Sequence, residues 1–243
     1  MTYSIETSNL TKTFGTYVAV DHINVTVNRG EIFGFLGANG AGKTTAIRML
    51  CGLLSPSGGS GHVAGFDIMK ETAKIRTRIG YMSQKFSLYP DLTVQDNMKL
   101  YGSLYGLKKN ELDKRITDLS GFLELDGLFT KRTGELPWGW QQRISLACAN
   151  LHNPEILFLD EPTGSVDPVS RRSFWDLIQI LSARGTTIFV TTHHLDEAEY
   201  CHRISIMVSG KIAAIDSPRN LKQLYKCYTL LDAFLKIAGG ESV

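Results

Sequence analysis

Apolar and polar positions alternate early in the chain. Across residues 18–27, Val18, Val20, Ile23, Val25 and Val27 alternate with polar neighbours, with one slip near Asp21. A period of two predicts a half-buried antiparallel strand. Arg29-Gly30 reads as a turn, and the run EIFGFL at 31–36 as a strand buried on both faces. At 44–54 the period changes: Ile47, Leu50, Cys51 and Leu54 fall at helical intervals. The glycine-rich stretch 57–61 follows Pro56, lacks a subsequent Lys-Ser/Thr, and reads as a turn between helix and strand. Beyond residue 93, Leu100, Leu104, Leu107, Leu112, Ile116 and Leu119 keep mostly helical spacing without strand signals. That predicts a small helical lobe, about 90–138, inserted into a single domain spanning 1–243. From 155 onward the patterns alternate: strand at 156–159, helix at 171–183, strand at 186–191, helix at 195–202. Such alternation predicts a parallel sheet flanked by helices.

Composition narrows the class. A chain of 243 residues holds one large domain, with room for an inserted lobe. At 43% hydrophobic and 21% charged it is an ordinary globular sequence. A net charge of +2, with the basic residues scattered, gives no reason to expect nucleic acid or an anionic lipid surface as a partner. Cys51, Cys148, Cys201 and Cys227 form no CxxC pair and no zinc spacing, which predicts reduced, buried thiols. Residues 1–14 are polar and lack an apolar signal core. No stretch approaches the ~18 apolar residues of a membrane span, so work at a membrane would require another chain to supply the span.

The motif that carries chemistry is Gly37-Ala38-Asn39-Gly40-Ala41-Gly42-Lys43-Thr44, which fits GxxxxGK[ST] and sits between the expected strand and helix. Glycines let the backbone turn its N–H groups onto phosphates, and the helix N-terminus adds partial positive charge. Lys43 is the candidate to neutralise the terminal phosphates, the Thr44 hydroxyl to ligate Mg²⁺, and Thr45 to sit beside it. A second signal, Ile156-Leu157-Phe158-Leu159-Asp160-Glu161, is a buried strand ending in two acids. Asp160 suits a second Mg²⁺ position; Glu161, expected on the opposite side of the strand, suits a general base for an attacking water. The expected fold class is therefore α/β: a P-loop core with a parallel sheet, an N-terminal antiparallel β part and an inserted α-helical subdomain.

With these motifs in order, the chain resembles the ATP-binding cassette (ABC) family over residues 5–239. Gln84, in Tyr81-Met-Ser-Gln84, matches the Q-loop; Asp160-Glu161-Pro162-Thr163 matches Walker B; Ser165-Val166-Asp167-Pro168 matches the D-loop; His193, in Val190-Thr-Thr-His193, matches the switch histidine. The resemblance implies Phe14 against adenine, with Tyr17 as its competitor. It implies Gln84 at Mg²⁺ or the lytic water, His193 at the γ-phosphate beside Glu161, and Asp167 across a dimer interface. It also implies ATP and Mg²⁺ as cofactors, a second nucleotide-binding domain and a membrane subunit as partners, and a place on the cytoplasmic face of the cell membrane. The departure is Leu136-Pro-Trp-Gly-Trp140, where the family has Leu-Ser-Gly-Gly-Gln. Pro137 removes a hydroxyl, leaving the Gly139 N–H and the following helix start as the anion site. This LPxGW pattern is similar to ABC-2-type exporters linked to drug efflux. A soluble ABC ATPase not coupled to transport, and a low-turnover regulatory subunit, stay open as alternatives. Phe86, Leu88, Tyr89 and Pro90 make 84–91 unusually apolar for a loop, an expected docking site for the membrane chain. His194 and His202 lack an acid or cysteine cluster at ligand spacing, so no metal is expected there.

Overall fold

A computed structural model describes residues 3–84 and 87–240. In chain order, β1 (Tyr3–Phe14), β2 (Tyr17–Ile23), β3 (Thr26–Asn28) and β4 (Ile32–Gly37) precede α1 (Lys43–Leu50). Then come β5 (Gly58–Val63), β6 (Phe66–Asp67), α2 (Thr72–Arg78) and β7 (Ile79–Met82). A helical stretch holds α3 (Val94–Leu104), α4 (Lys109–Phe122), a 3₁₀ turn (Thr133–Glu135) and α5 (Trp138–Asn150). β8 (Ile156–Asp160), α6 (Pro168–Ala183), β9 (Thr187–Thr192) and α7 (Leu195–Ala198) follow. β10 (Arg203–Val208), β11 (Lys211–Asp216), α8 (Pro218–Leu224) and α9 (Leu230–Ala238) lie beyond the last element expected from sequence.

Two sheets result. One is antiparallel, in the order β2-β1-β5-β6 with β3 also on β1. The other runs β11-β10-β4-β9-β8-β7 and is parallel throughout except at its β11 edge. The apolar runs of the central strands divide between two cores by the period of two. Ile32, Leu36, Leu157, Leu159, Ile188 and Val190 face the helical side with α3, α4, α5 and α6. Phe33, Phe35, Ile156, Phe158 and Phe189 face α1 and the antiparallel sheet. Phe189 lies 5.3–5.7 Å, centroid to centroid, from Phe33, Phe35 and Phe158, so one aromatic ring ties three strands together.

Several local expectations are corrected. The alternating run 18–27 makes two strands, because His22 takes a left-handed φ of 52° and Asn24 donates to its carbonyl at 3.0 Å. The 57–61 stretch belongs to β5: Gly59 takes φ +78°, and a Cβ there would lie 2.2 Å from the Asn9 carbonyl oxygen, so the glycine permits backbone to approach backbone. The first helix ends at Leu50, with Gly52 at φ +65° closing it. The last expected helix shrinks to α7, because Tyr200 and Cys201 bond only three residues back and the His202 N–H leaves to donate to the Ile32 carbonyl at 2.9 Å. Leu104, counted in the helical pattern, is exposed. Cys51, Cys148 and Cys201 are buried free thiols, which burial pushes up; Cys227 is half-buried.

Candidate active site

The end of β4 and the start of α1 bracket a turn of Ala38 to Gly42. Gly42 takes φ +107°, and a Cβ on it would sit 2.3 Å from the Ala19 carbonyl oxygen. Only glycine folds the loop this tightly against β2. A cleft of about 310 Å³ opens over the loop, lined by Phe14, Tyr17, Asn39, Gly40, Gly42, Lys43, Thr44, Thr45, Gln84 and Glu161. Phe14 and Tyr17 are both half-exposed on this wall, and the Lys12 ammonium lies 5.2 Å from the Phe14 ring. Gly37 and Ala41 stand behind the wall. The Gly37 carbonyl accepts from Lys43 Nζ at 2.8 Å, and the Ala41 N–H is spent on the Ala38 carbonyl at 3.1 Å.

Glu161 gathers the chemistry. It was expected to point away from Asp160; instead the strand ends at Asp160 and Glu161 takes φ +48°, which turns its carboxylate onto the cleft. Its N–H donates to both oxygens of Thr191, at 3.1 Å to the carbonyl and 3.0 Å to Oγ1. Its Oε1 lies 3.2 Å from Lys43 Nζ, a pair that is almost fully buried. Its Oε2 accepts from Gln84 Nε2 at 2.9 Å and lies 3.0 Å from His193 Nδ1, which carries the proton when Glu161 is ionised. One carboxylate thus meets a cation, an amide and an imidazole, brought by three separate segments.

Asp160 is buried beneath them. Its Oδ1 accepts from Thr191 Oγ1 at 2.6 Å and from Thr44 Oγ1 at 3.2 Å. Burial pushes its carboxyl above the ordinary range, the two hydroxyls pull it back, and the Glu161 charge adds to the rise. Thr191 carries no sequence signal of its own: a threonine in a β-strand reads as a strand former, yet it braces both acids.

Gly139 lies elsewhere, in a second cavity of about 310 Å³ lined by Pro137, Trp138, Gly139, Trp140, Arg143, Ser165, Val166, Asp167 and Ser170. Pro137 occupies the N-cap of α5 and supplies no side-chain cap. Trp140 packs against the helical core with the Arg143 guanidinium 4.8 Å from its ring. The Gln142 amide, turned to satisfy both neighbours, accepts from Trp138 Nε1 at 3.3 Å and donates to the Pro162 carbonyl at 3.1 Å. The Asp167 side chain caps α6, accepting from the Val169 and Ser170 N–H groups. His202 Nδ1 accepts from the Ile32 N–H at 2.9 Å, a structural role. Among the described residues, no group of three or more His, Cys, Asp or Glu side chains is placed to hold a metal ion.

The chain is similar to known proteins. The chain matches the family described as ABC transporter over residues 20–164. It is 48% identical over 218 residues to the probable multidrug ABC transporter ATP-binding protein YbhF of Escherichia coli (strain K12), covering 90% of this chain and 38% of that protein, so it spans well under half the length of that relative. It is 36% identical over 218 residues to the linearmycin resistance ATP-binding protein LnrL of Bacillus subtilis (strain 168), covering 89% of this chain and 70% of the other. A dimeric ATP-binding cassette solved in a post-hydrolysis state with ADP and Pi superposes with a TM-score of 0.80 at 26% identity, over 88% of this chain and 98% of that one. A phosphate-type loop after β4, two acids closing β8 and a histidine closing β9, in a chain this similar to such proteins, leave one conclusion: the chain belongs to the ABC transporter family, as one of its ATP-binding cassettes.

Proposed function

We propose that this chain binds ATP with Mg²⁺ and hydrolyses it as the nucleotide-binding subunit of an exporter, working in a pair of cassettes at the cytoplasmic face of a membrane. The observation that carries the reading is Glu161, held at once by Lys43, Gln84 and His193 over the loop that wraps phosphate. Lys43 exchanges its bond to Glu161 for the β- and γ-phosphate oxygens, which frees a carboxylate oxygen to take the proton of the attacking water. Gln84 and His193 hold the other oxygen and keep that carboxylate aimed. Gly40 and Gly42 let the main chain turn its N–H groups inward, and Phe14 or Tyr17 stacks on adenine.

The residues present fit magnesium. Thr44 Oγ1 and Asp160 Oδ1 meet at 3.2 Å, a hydroxyl and a carboxylate of the hard oxygen type that magnesium takes alongside substrate phosphates and water. Burial that pushes Asp160 up is a cost that an adjacent cation offsets. Bound there, magnesium would neutralise charge on the transferring phosphoryl group.

The second cavity supports pairing. Gly139 and the start of α5 line a cavity that shares no residue with the cleft over the phosphate-type loop, and they suit the γ-phosphate held by a partner cassette. A groove of about 390 Å³ between α3 and the core, lined by Leu53, Ile79, Tyr81, Ser87, Tyr101 and Tyr105, suits the membrane subunit. Burial pushes the Tyr81 hydroxyl up to about 12, so it presents a neutral phenol there. In the neighbouring docking segment, Leu88 is buried, while Tyr89 and Pro90 are exposed and offer surface contacts; Phe86 lies outside the described residues. No helix among the described residues is long and apolar enough to cross a membrane.

Pro137 favours a second reading, a subunit with little turnover. A single-turnover ATPase assay on the purified chain separates the two. Phosphate release that Glu161→Gln abolishes supports the exporter motor; ATP bound and not cleaved by the wild type supports the regulator. Tyr89→Asp should uncouple hydrolysis from transport in the assembled complex while leaving nucleotide binding intact.

A further inference from the structure

Outside the groups named so far, the most deeply buried acid among the described residues is Glu197. It sits on α7, 1% exposed, where a helix following a histidine would ordinarily show an acid to solvent. Its Oε1 accepts from Thr163 Oγ1, and its Oε2 accepts from Thr192 Oγ1 at 2.6 Å. The Thr192 hydroxyl in turn accepts from the His194 N–H at 2.9 Å. His193 is therefore pinned on both sides by bonds that end on one buried carboxylate. Thr163 lies two residues past Glu161, in the turn where the Gly164 N–H reaches the Glu161 carbonyl at 3.4 Å and the Val166 N–H reaches the Thr163 carbonyl at 3.1 Å. Arg171 completes the group: its Nε lies 3.5 Å from Glu197 Oε1, and its Nη2 donates to the Val166 carbonyl at 3.3 Å.

The same carboxylate thus ties the turn carrying Glu161 to the strand end carrying His193, and through Arg171 reaches Val166 on the wall of the second cavity. A buried charge is expensive unless it is paired and hydrogen-bonded, and a structural role alone would be met by an apolar side chain. We propose that Glu197 is a positioning residue: it fixes the separation and aim of Glu161 and His193, and it conveys to them any movement of the 165–168 segment. This rests on the reading of Glu161 as the general base and deepens it. The bond between Glu161 Oε2 and His193 Nδ1 is 3.0 Å, and misplacement by an ångström costs on the order of 100-fold in rate. Removing the tie should therefore act on the chemical step rather than on nucleotide affinity.

The test is a set of variants in the full chain, read by kcat and by equilibrium MgATP affinity. Glu197→Gln keeps the volume and removes the charge. Thr192→Val removes one hydroxyl and remains informative if Glu197→Gln fails to fold. For each we expect kcat to fall on the order of 10- to 100-fold with affinity within about twofold. Thr192→Ser, which keeps the hydroxyl, should regain turnover relative to Thr192→Val. Because Glu197 acts by aiming His193 at Glu161, adding either variant to His193→Ala should lower kcat little below that of His193→Ala alone. Multiplied losses in the double variants, or parallel losses of affinity and kcat, overturn the proposal. Glu161→Gln is run alongside. If it loses turnover while the double-variant losses multiply, the positioning role alone is wrong; if it keeps turnover, the general-base reading falls and the proposal falls with it.

Discussion

The nucleotide cleft and the cavity at Gly139 have similar volumes and opposite construction. In the cleft, the charged groups are turned on one another: Lys43 on Glu161, Gln84 and His193 on Glu161, Thr44 on Asp160. In the cavity, Pro137 gives α5 no cap, Asp167 is committed to its own helix, and Arg143 is spent on the Leu123 carbonyl, Glu124 and Ser173. The first region is assembled by one chain. The second, on our proposal, is half of a site that a partner cassette completes. The two communicate through Gln142, which joins Trp138 to the Pro162 carbonyl, and through Arg171, which joins Val166 to Glu197.

The sharpest way to break this contrast is Glu161→Gln. In a self-assembled cleft the amide keeps its place among Lys43, Gln84 and His193 and cannot take a proton. Turnover should fall about 10²–10⁴-fold while MgATP affinity holds and a nucleotide-bound dimer accumulates. Near-normal steady-state hydrolysis would remove Glu161 from the role. Lys43→Ala comes next. No other basic residue lies in the loop, so each lost charged hydrogen bond costs about 1.5–3 kcal/mol, roughly 10- to 150-fold in affinity by titration calorimetry. Unchanged affinity would mean the loop does not hold the phosphates.

How much of this was legible differs between the regions. Lys43, Thr44, Asp160, Glu161, Gln84 and His193 were readable because loop, strand end and residue type coincide at each, and the structure brings them together. The geometry at Glu161 was not, because alternation along a strand carries no information about the left-handed residue that ends it. Thr191 and Glu197 were invisible for another reason. A threonine in an apolar strand and an acid in a short helix have ordinary local meanings, and only pairing between distant segments gives them others. The glycines of β5 misled in the same way: they read as a turn, and their reason is the backbone of β1 beside them. In the cavity, the sequence showed the missing hydroxyl but not that Trp140 also packs against the helical core or that the Trp138 indole bonds to Gln142.

Gly139→Ala probes the half-site directly. A Cβ there would lie 3.0 Å from Ser170 Cβ and 3.1 Å from its Oγ, so α5 and α6 must part slightly. Overpacking of this kind costs about 1–3 kcal/mol. That cost falls on the fold of each chain, and because Gly139 lies on the surface that our proposal gives to the partner, the shifted α5 terminus should also weaken the ATP-dependent dimer on a Glu161→Gln background in light scattering. Nucleotide affinity of the monomer should not move. A change in monomer affinity with an unaltered dimer would place Gly139 in the cleft's support instead.

Pro137→Ser should have the smallest effect, and its size decides what the departure at this loop means. Pro137 sits at φ −55°, ψ 149°, a conformation that serine adopts freely at a helix N-cap. In the monomer two terms oppose. A serine cap stabilises α5 by about 1 kcal/mol, and loss of the proline releases unfolded-chain entropy worth about 0.4–1 kcal/mol the other way. The melting temperature should therefore shift by no more than about 2–4 °C. In the dimer the serine adds one hydroxyl donor to the charged γ-phosphate held by the partner, in exchange for water, a net gain of about 1.5 kcal/mol or roughly tenfold tighter association. A tighter dimer with an unchanged monomer would show that the missing hydroxyl limits this interface. No change in the dimer would mean that the Gly139 N–H and the α5 terminus already satisfy the phosphate, and that proline costs this cassette nothing.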